Sequence, residues 1–153
     1  MRENQSDIAA LQAGLKARKP ARDGLRLYTA PPTFESVSLS GFYRGTGGRS
    51  AFLMLSGPSL KQIDLSLLDA RGIVTMAVNN AWSVRRPTLW TCVDDPGRFI
   101  DVGWKDPGIL KFVPTCMWDK RLRIQGVDGV MRNSAFRVRQ MPSVMFFRRA
   151  DHF

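Results

Sequence analysis

Three groups of short polar residues stand directly behind apolar stretches: Ser56-Gly57-Pro58-Ser59, Asn79-Asn80 and Asp94-Asp95. Their types suit one kind of chemistry. Hydroxyls and backbone N–H groups at a glycine turn can hold phosphate oxygens, and carboxamides can hydrogen-bond a base or ribose. Paired carboxylates can hold Mg²⁺ against a diphosphate. The stretches before them read as buried strands, and in an open α/β sheet ligands bind beyond the carboxyl ends of the strands. Asn and Asp also end strands simply as turn formers, so each group taken alone has a purely structural reading. Three strands delivering such groups to one edge is the stronger signal.

Within the acidic pair, strand alternation sends neighbours to opposite faces, so one carboxylate is expected to reach the site. Asp95 precedes Pro96 and is biased to extended backbone, which makes it the candidate site residue and the candidate Mg²⁺ ligand. His152, the single histidine, is a proton carrier by type, but it stands next to the terminal Phe153. Gly45-Thr-Gly-Gly-Arg-Ser50 lacks the Walker spacing and the Gly-Lys-Ser/Thr ending, and it precedes a strand instead of following one, so a P-loop is rejected. Cys92 and Cys116 are isolated thiols without C-x-x-C spacing and read as reduced and buried. No residue is singled out as the catalytic base.

The elements that must position these groups follow from the apolar pattern. Ala51 to Leu55 reads as a first strand, Leu60 to Asp69 as a helix with Ile63, Leu67 and Leu68 available to pack, and Gly72 as its C-cap. Ile73 to Val78, Thr88 to Val93 and Leu110 to Val113 read as further strands. Near-continuous apolar runs such as Phe52-Leu-Met-Leu55 fit a parallel sheet covered on both faces. Beyond Lys120 the style changes to alternation. Leu122 and Ile124 interleave with arginines, Val127-Asp-Gly-Val130 is a turn, and Phe136 and Val138 alternate with Arg137 and Arg139, which predicts an antiparallel excursion. Ahead of the sheet, Ser6 to Arg18 reads as a short amphipathic helix on Ile8, Leu11 and Leu15, and residues 28–49 as an irregular arm. The division is therefore an N-terminal helix and arm over 1–49 and an α/β domain over 50–153.

Gly57-Pro-Ser-Leu60 after a strand, then Asp64-Leu65, Val78-Asn79-Asn80 and Asp95-Pro96 resemble a Rossmann-like transferase superfamily. It comprises bacterial sialyltransferases of the Campylobacter type, flagellin-modifying motility accessory factors and archaeal hydroxymethylpterin diphosphokinase-like proteins. The resemblance covers residues 50–96. It implies a mostly parallel Rossmann-like sheet and a nucleotide or nucleotide-sugar site. Ser56, Gly57, Pro58 and Ser59 would line the phosphate or ribose, and Asn79 and Asn80 would lie at the nucleotide, with Asp95 beside them. The position of Asp95 is Asn in the sialyltransferases and Asp in the diphosphokinase-like branch, which argues against a CMP-sugar. Members of the superfamily continue into a further helix and strand that complete the pocket. The resemblance thus implies the front portion of a glycosyl- or diphosphoryl-transferase domain, truncated and inactive alone, or one completed by a partner.

Composition bounds these readings. The chain has 153 residues, 44% of them hydrophobic, and four tryptophans, enough for a folded domain with a real core. The apolar runs are too short for a membrane span, and the polar N-terminus has no secretory h-region, so a cytoplasmic protein is expected. The net charge of +10 is unevenly spread. Residues 1–49 hold 8 Lys/Arg against 4 Asp/Glu, residues 50–119 hold 7 against 7, and residues 120–153 hold 8 against 2. A basic flank of this kind suits nucleic acid or an acidic protein partner, which is the alternative, non-enzymatic function. With one clear helix for a parallel sheet, the pattern also predicts an uncovered apolar patch at Val144–Phe147 that drives self-association, Phe146 and Phe147 being less buried than Leu53 and Leu55.

Overall fold

The computed structural model describes residues 26–29, 36–38 and 51–148. Its strands are β1 (Arg26–Tyr28), β2 (Ser36–Ser38), β3 (Ala51–Met54), β4 (Val74–Val78), β5 (Leu89–Thr91), β6 (Leu110–Pro114), β7 (Arg121–Gln125), β8 (Met131–Arg137) and β9 (Val144–Phe147). The one α-helix among the described residues, α1, spans Asp101–Lys105. The main sheet has the order β2-β1-β9-β6-β5-β4-β3. Strands β3, β4, β5, β6 and β9 run parallel, while β1 and β2 add to β9 as an antiparallel pair. Strands β7 and β8 form a separate antiparallel ribbon. The protein is thus α/β with a mostly parallel sheet and an antiparallel, arginine-bearing excursion, and its helices are few.

From β3 to β9 the sheet steps in one direction without reversal. Right-handed crossovers that all step the same way lie on the same face, and the core divides accordingly. The larger apolar cluster draws on the strands and on their connections: Leu60, Ala81, Phe99, Trp104, Leu122 and Val138 join Met54, Ala77, Trp90 and Phe146. The smaller cluster, Val74, Leu89, Leu110, Phe112 and Met145 with Met76 and Phe147 against it, is built from strand residues alone. Register makes each face continuous. Met54, Ala77, Trp90, Lys111 and Val144 form one row across the five parallel strands, and Leu53, Met76, Leu89 and Leu110 form a row on the opposite face.

Three sequence expectations are corrected here. Leu60 to Asp69 is no α-helix but two 3₁₀ turns, Pro58–Gln62 and Leu65–Asp69. The break has a local cause. Ile63 is extended, and Asp64, also extended, caps the second turn by accepting from the Ser66 N–H at 3.0 Å. The turns pack through Leu60, Leu65 and Leu68, whereas Ile63 and Leu67 stay exposed.

The second correction moves the uncovered apolar surface. Val144–Phe147 is an interior strand between β1 and β6, and Phe146 is 1% exposed. Leu53 and Leu55, at the other end of the sheet, are 60% and 57% exposed, which inverts the expected order. The third concerns the arm, from which Arg26–Tyr28 and Ser36–Ser38 extend the sheet as strands. The predicted helix at 6–18, the Gly45–Ser50 loop and His152 lie outside the described residues.

Candidate functional site

The carboxyl ends of β3, β4 and β5 are neighbours in the sheet, so the groups behind them share one edge. Behind β3, Ser56, Gly57, Pro58 and Ser59 are all exposed. The Leu60 N–H donates to the Gly57 carbonyl at 3.1 Å and closes the turn. Neither serine hydroxyl has a hydrogen-bond partner among the described residues, so both are open to solvent. A 3₁₀ turn of five residues follows instead of a helix, and the positive helix end expected there is replaced by the turn's own N–H groups.

Asn79, directly behind β4, is the most constrained residue of the edge. Its φ of +49° places it in the left-handed region, which asparagine tolerates better than most residues. Its side-chain Oδ1 accepts from the Val93 N–H at 3.1 Å and more weakly from the Asp94 N–H at 3.4 Å. Its Nδ2 donates to Asp94 Oδ2 at 3.1 Å. From below, the buried Trp90 indole donates to the Asn79 carbonyl at 2.8 Å. Trp90 itself is set by Trp104 at 4.5 Å, Trp82 at 5.5 Å and Phe99 at 5.8 Å between ring centroids. An aromatic floor therefore fixes the backbone of the residue that ties β4 to β5. Asn80 is exposed and is the second residue of the next 3₁₀ turn, Asn79–Ser83.

The two carboxylates divide the work differently from strand alternation, because β5 ends at Thr91 and both stand past it. Asp94 meets Asn79, and Arg98 Nη1 lies 3.7 Å from the same Oδ2. Asp95 is exposed and caps the Pro96–Arg98 turn, its Oδ1 accepting from the Gly97 N–H at 2.9 Å. One Asp95 oxygen remains for a ligand. Beneath the pair, Cys92 is 1% exposed and its thiol donates to the Asp94 carbonyl at 3.3 Å. Burial, then the nearby Asp94 and Asp95 charges, hold that thiol far above the usual cysteine range. Cys92 is an inert core residue, while Cys116 is exposed where a buried thiol was expected.

Sequence reasoning did not connect the basic ribbon to this edge. Strand β7 forms a parallel bridge between Arg123 and Ile100 beside the Asp95-capped turn. Arg123 methylenes pass 3.7 Å from where a Gly97 side chain would begin. Arg123 is exposed, and neither it nor Arg121 has an ion-pair partner among the described residues. Arg98 and Arg123 thus bring positive charge to an edge whose nearest carboxylates belong to Asp94 and Asp95. The signal was present in the sequence as arginines alternating with Leu122 and Ile124, without anything to say where the ribbon folds back.

Sequence reasoning also missed Lys111. It is fully buried in β6, and its ammonium donates to the carbonyls of Asp106, Ile109 and Pro142 at 2.6, 3.0 and 3.0 Å. Burial pushes it down to about 7, the Asp106 charge pulls it up, and Arg86 pushes it down further. A lysine shifted towards neutrality is a common mark of catalysis. Here all three donors are spent on carbonyls that precede β6 and β9, at the amino end of the sheet, away from Asn79. Lys111 clamps two loops.

Fold and site together define an α/β protein whose mostly parallel sheet gathers hydroxyl, carboxamide, carboxylate and guanidinium groups at its carboxyl edge. Compared with protein-family models, with curated proteins and with solved structures, the chain matches none. Among the described residues, no helix is long and apolar enough to cross a membrane, and no three His, Cys, Asp or Glu side chains are grouped to hold a metal ion.

Proposed function

We propose that the chain is a Rossmann-like, nucleotide- or nucleotide-sugar-binding domain of the transferase type, acting in glycosyl or diphosphoryl transfer in the cytoplasm. One observation carries the reading: Ser56–Ser59, Asn79–Asn80 and Asp94–Asp95 follow the carboxyl ends of three adjacent parallel strands. In this reading the open hydroxyls of Ser56 and Ser59, with the turn N–H groups, take phosphate oxygens. Asn80 and the free side of Asn79 take the ribose or base, and Arg98 and Arg123 offset the phosphate charge. A Mg²⁺ ion at Asp95 would share its ligands with the diphosphate, because magnesium keeps waters and uses few protein oxygens.

Isothermal titration with CMP, UDP, GDP and ATP in the presence of Mg²⁺ tests this. Binding tighter than millimolar by one of them, weakened by Ser59→Ala and Arg123→Ala in a stably folded protein, is the expected result. Uniform failure to bind removes the proposal.

A second reading rests on a separate observation, Arg121 and Arg123 on one face of β7, exposed and without an ion-pair partner among the described residues. It makes the ribbon a docking face for nucleic acid or an acidic protein. Pairing inside the ribbon limits that charge, since Arg132 bonds Asp128 and both Arg137 and Arg139 bond Asp119. The nucleotide reading is favoured for that reason.

A further inference from the structure

The outermost described strand of the parallel sheet, β3, is buried at Met54 and exposed along Ala51-Phe-Leu53. Phe52 is 45% and Leu53 60% exposed, and Leu55, just past the strand, is 57% exposed. Elsewhere in the sheet the Leu53 row is covered, Met76 in part and Leu89 and Leu110 almost wholly. Leu53 continues the row of Met76, Leu89 and Leu110, of which Leu110 is fully buried, so the apolar face runs straight out to an open edge. Proteins blunt open edges with charge, proline or bulges. Ala51-Phe-Leu-Met54 has no charged residue and no proline, its pairing with β4 is regular, and no described strand pairs with its outer side.

We propose that this edge is where a second copy of the chain docks, the two β3 strands pairing antiparallel about a two-fold axis. Three features favour this occupant. A two-fold interface must be its own complement, and an uncharged apolar strand is one, whereas a cationic surface is not. The chain carries a net charge of +10, so two copies repel over most of their surfaces and approach at a strip that bears none. Phe52, Leu53 and Leu55 offer about 300 Å² per copy, hence about 600 Å² in the pair, which sets a weak, concentration-dependent association. Antiparallel pairing sets the two open rows end to end. Leu53 then meets its counterpart on one face, and the crossovers of both copies fall on the other.

Sedimentation equilibrium from low micromolar to several hundred micromolar protein tests the proposal. A reversible monomer–dimer equilibrium is expected, and Leu53→Lys should weaken it by about tenfold or more, because a charge on an edge strand opposes pairing. A second measurement does not depend on that variant folding. In a Cys116→Ser background, Leu53→Cys should be captured as a dimer by a short bis-maleimide, and Val127→Cys, at the far tip of the ribbon, should not. A monomer throughout the concentration range overturns the proposal. So does a dimer that Leu53→Lys leaves unchanged, or one captured through Val127→Cys and not through Leu53→Cys.

Discussion

Asn79 and Asp94 lock the ends of two neighbouring parallel strands: Nδ2 of the asparagine donates to Oδ2 of the aspartate at 3.1 Å. The same asparagine accepts from the Val93 and Asp94 N–H groups. Asn79→Ala leaves those donors and the aspartate short of partners and places alanine at positive φ, so it should lower stability by about 1–3 kcal/mol. Asn79→Asp keeps the two acceptors but sets carboxylate against carboxylate. Its loss should be larger than that of Asn79→Ala at neutral pH and should shrink in acid, where the pair shares a proton. Urea melts at two pH values decide this, and equal losses at both would show that the contact with Asp94 carries no weight.

Lys111 gives the pH dependence its direction. Its folded value of about 7 lies below the ordinary 10.5, so between these the unfolded chain binds the extra proton. Stability from this residue should therefore rise as pH increases from 7 towards 10.5 and be least below 7. The span is on the order of a few kcal/mol. Cys92 acts in the opposite sense at high pH, since its thiol is held above the usual range. The difference between wild type and Lys111→Met isolates the lysine, and it should move in favour of wild type as pH rises from 7 towards 10.5. Parallel curves would mean that the three carbonyls hold the ammonium charged throughout.

Gly72, in the turn before β4, has φ +85° and open space where a side chain would stand. Gly72→Ala should cost about 1 kcal/mol through backbone strain alone. Since no neighbour is displaced, the change should appear in the melting temperature and leave ligand binding untouched. An unchanged melt would place the turn in a conformation that alanine accepts.

Asp119 holds Arg137 Nη1 at 2.5 Å and Arg139 Nε at 3.2 Å. Asp119→Asn should remove the neutralising charge from both, Arg137 keeping its 2.8 Å bond to the Asp119 carbonyl, with a stability change within about 1 kcal/mol because the pairs are partly exposed. If the ribbon docks on nucleic acid, the salt dependence of binding to single-stranded RNA should steepen by up to about two phosphate contacts. No binding by either protein at low ionic strength would remove single-stranded RNA as the partner of the ribbon and leave the nucleotide reading intact.

Much of the sheet was legible because its strands are dense in apolar and β-branched residues and are punctuated by Gly, Pro, Asn and Asp. Val74–Val78, Leu89–Thr91 and Leu110–Pro114 fall inside or within one residue of the predicted segments, and the turn at Val127–Val130 joins β7 to β8 as its Asp-Gly pair indicates. Leu60 to Asp69 misled because its leucines satisfy a helical period, while Asp64 competes for the backbone with a bond visible only at the scale of two residues.

What the sequence by itself determined is local: which segments pair as strands, where they stop, and that short polar groups follow three of them. Those properties depend on side-chain shape and polarity within a few residues. Only the tertiary structure decided the rest. It put Val144–Phe147 inside the sheet and Leu53 at its rim, since strand order is set by how the connections wind and not by how apolar a strand is. It also gave Asp94 rather than Asp95 to Asn79, sank Lys111 among three carbonyls, and folded Arg123 back beside Gly97. Each of these joins residues distant in the chain, and the energy that selects them comes from burial and pairing that exist only once the sheet has closed around Trp90.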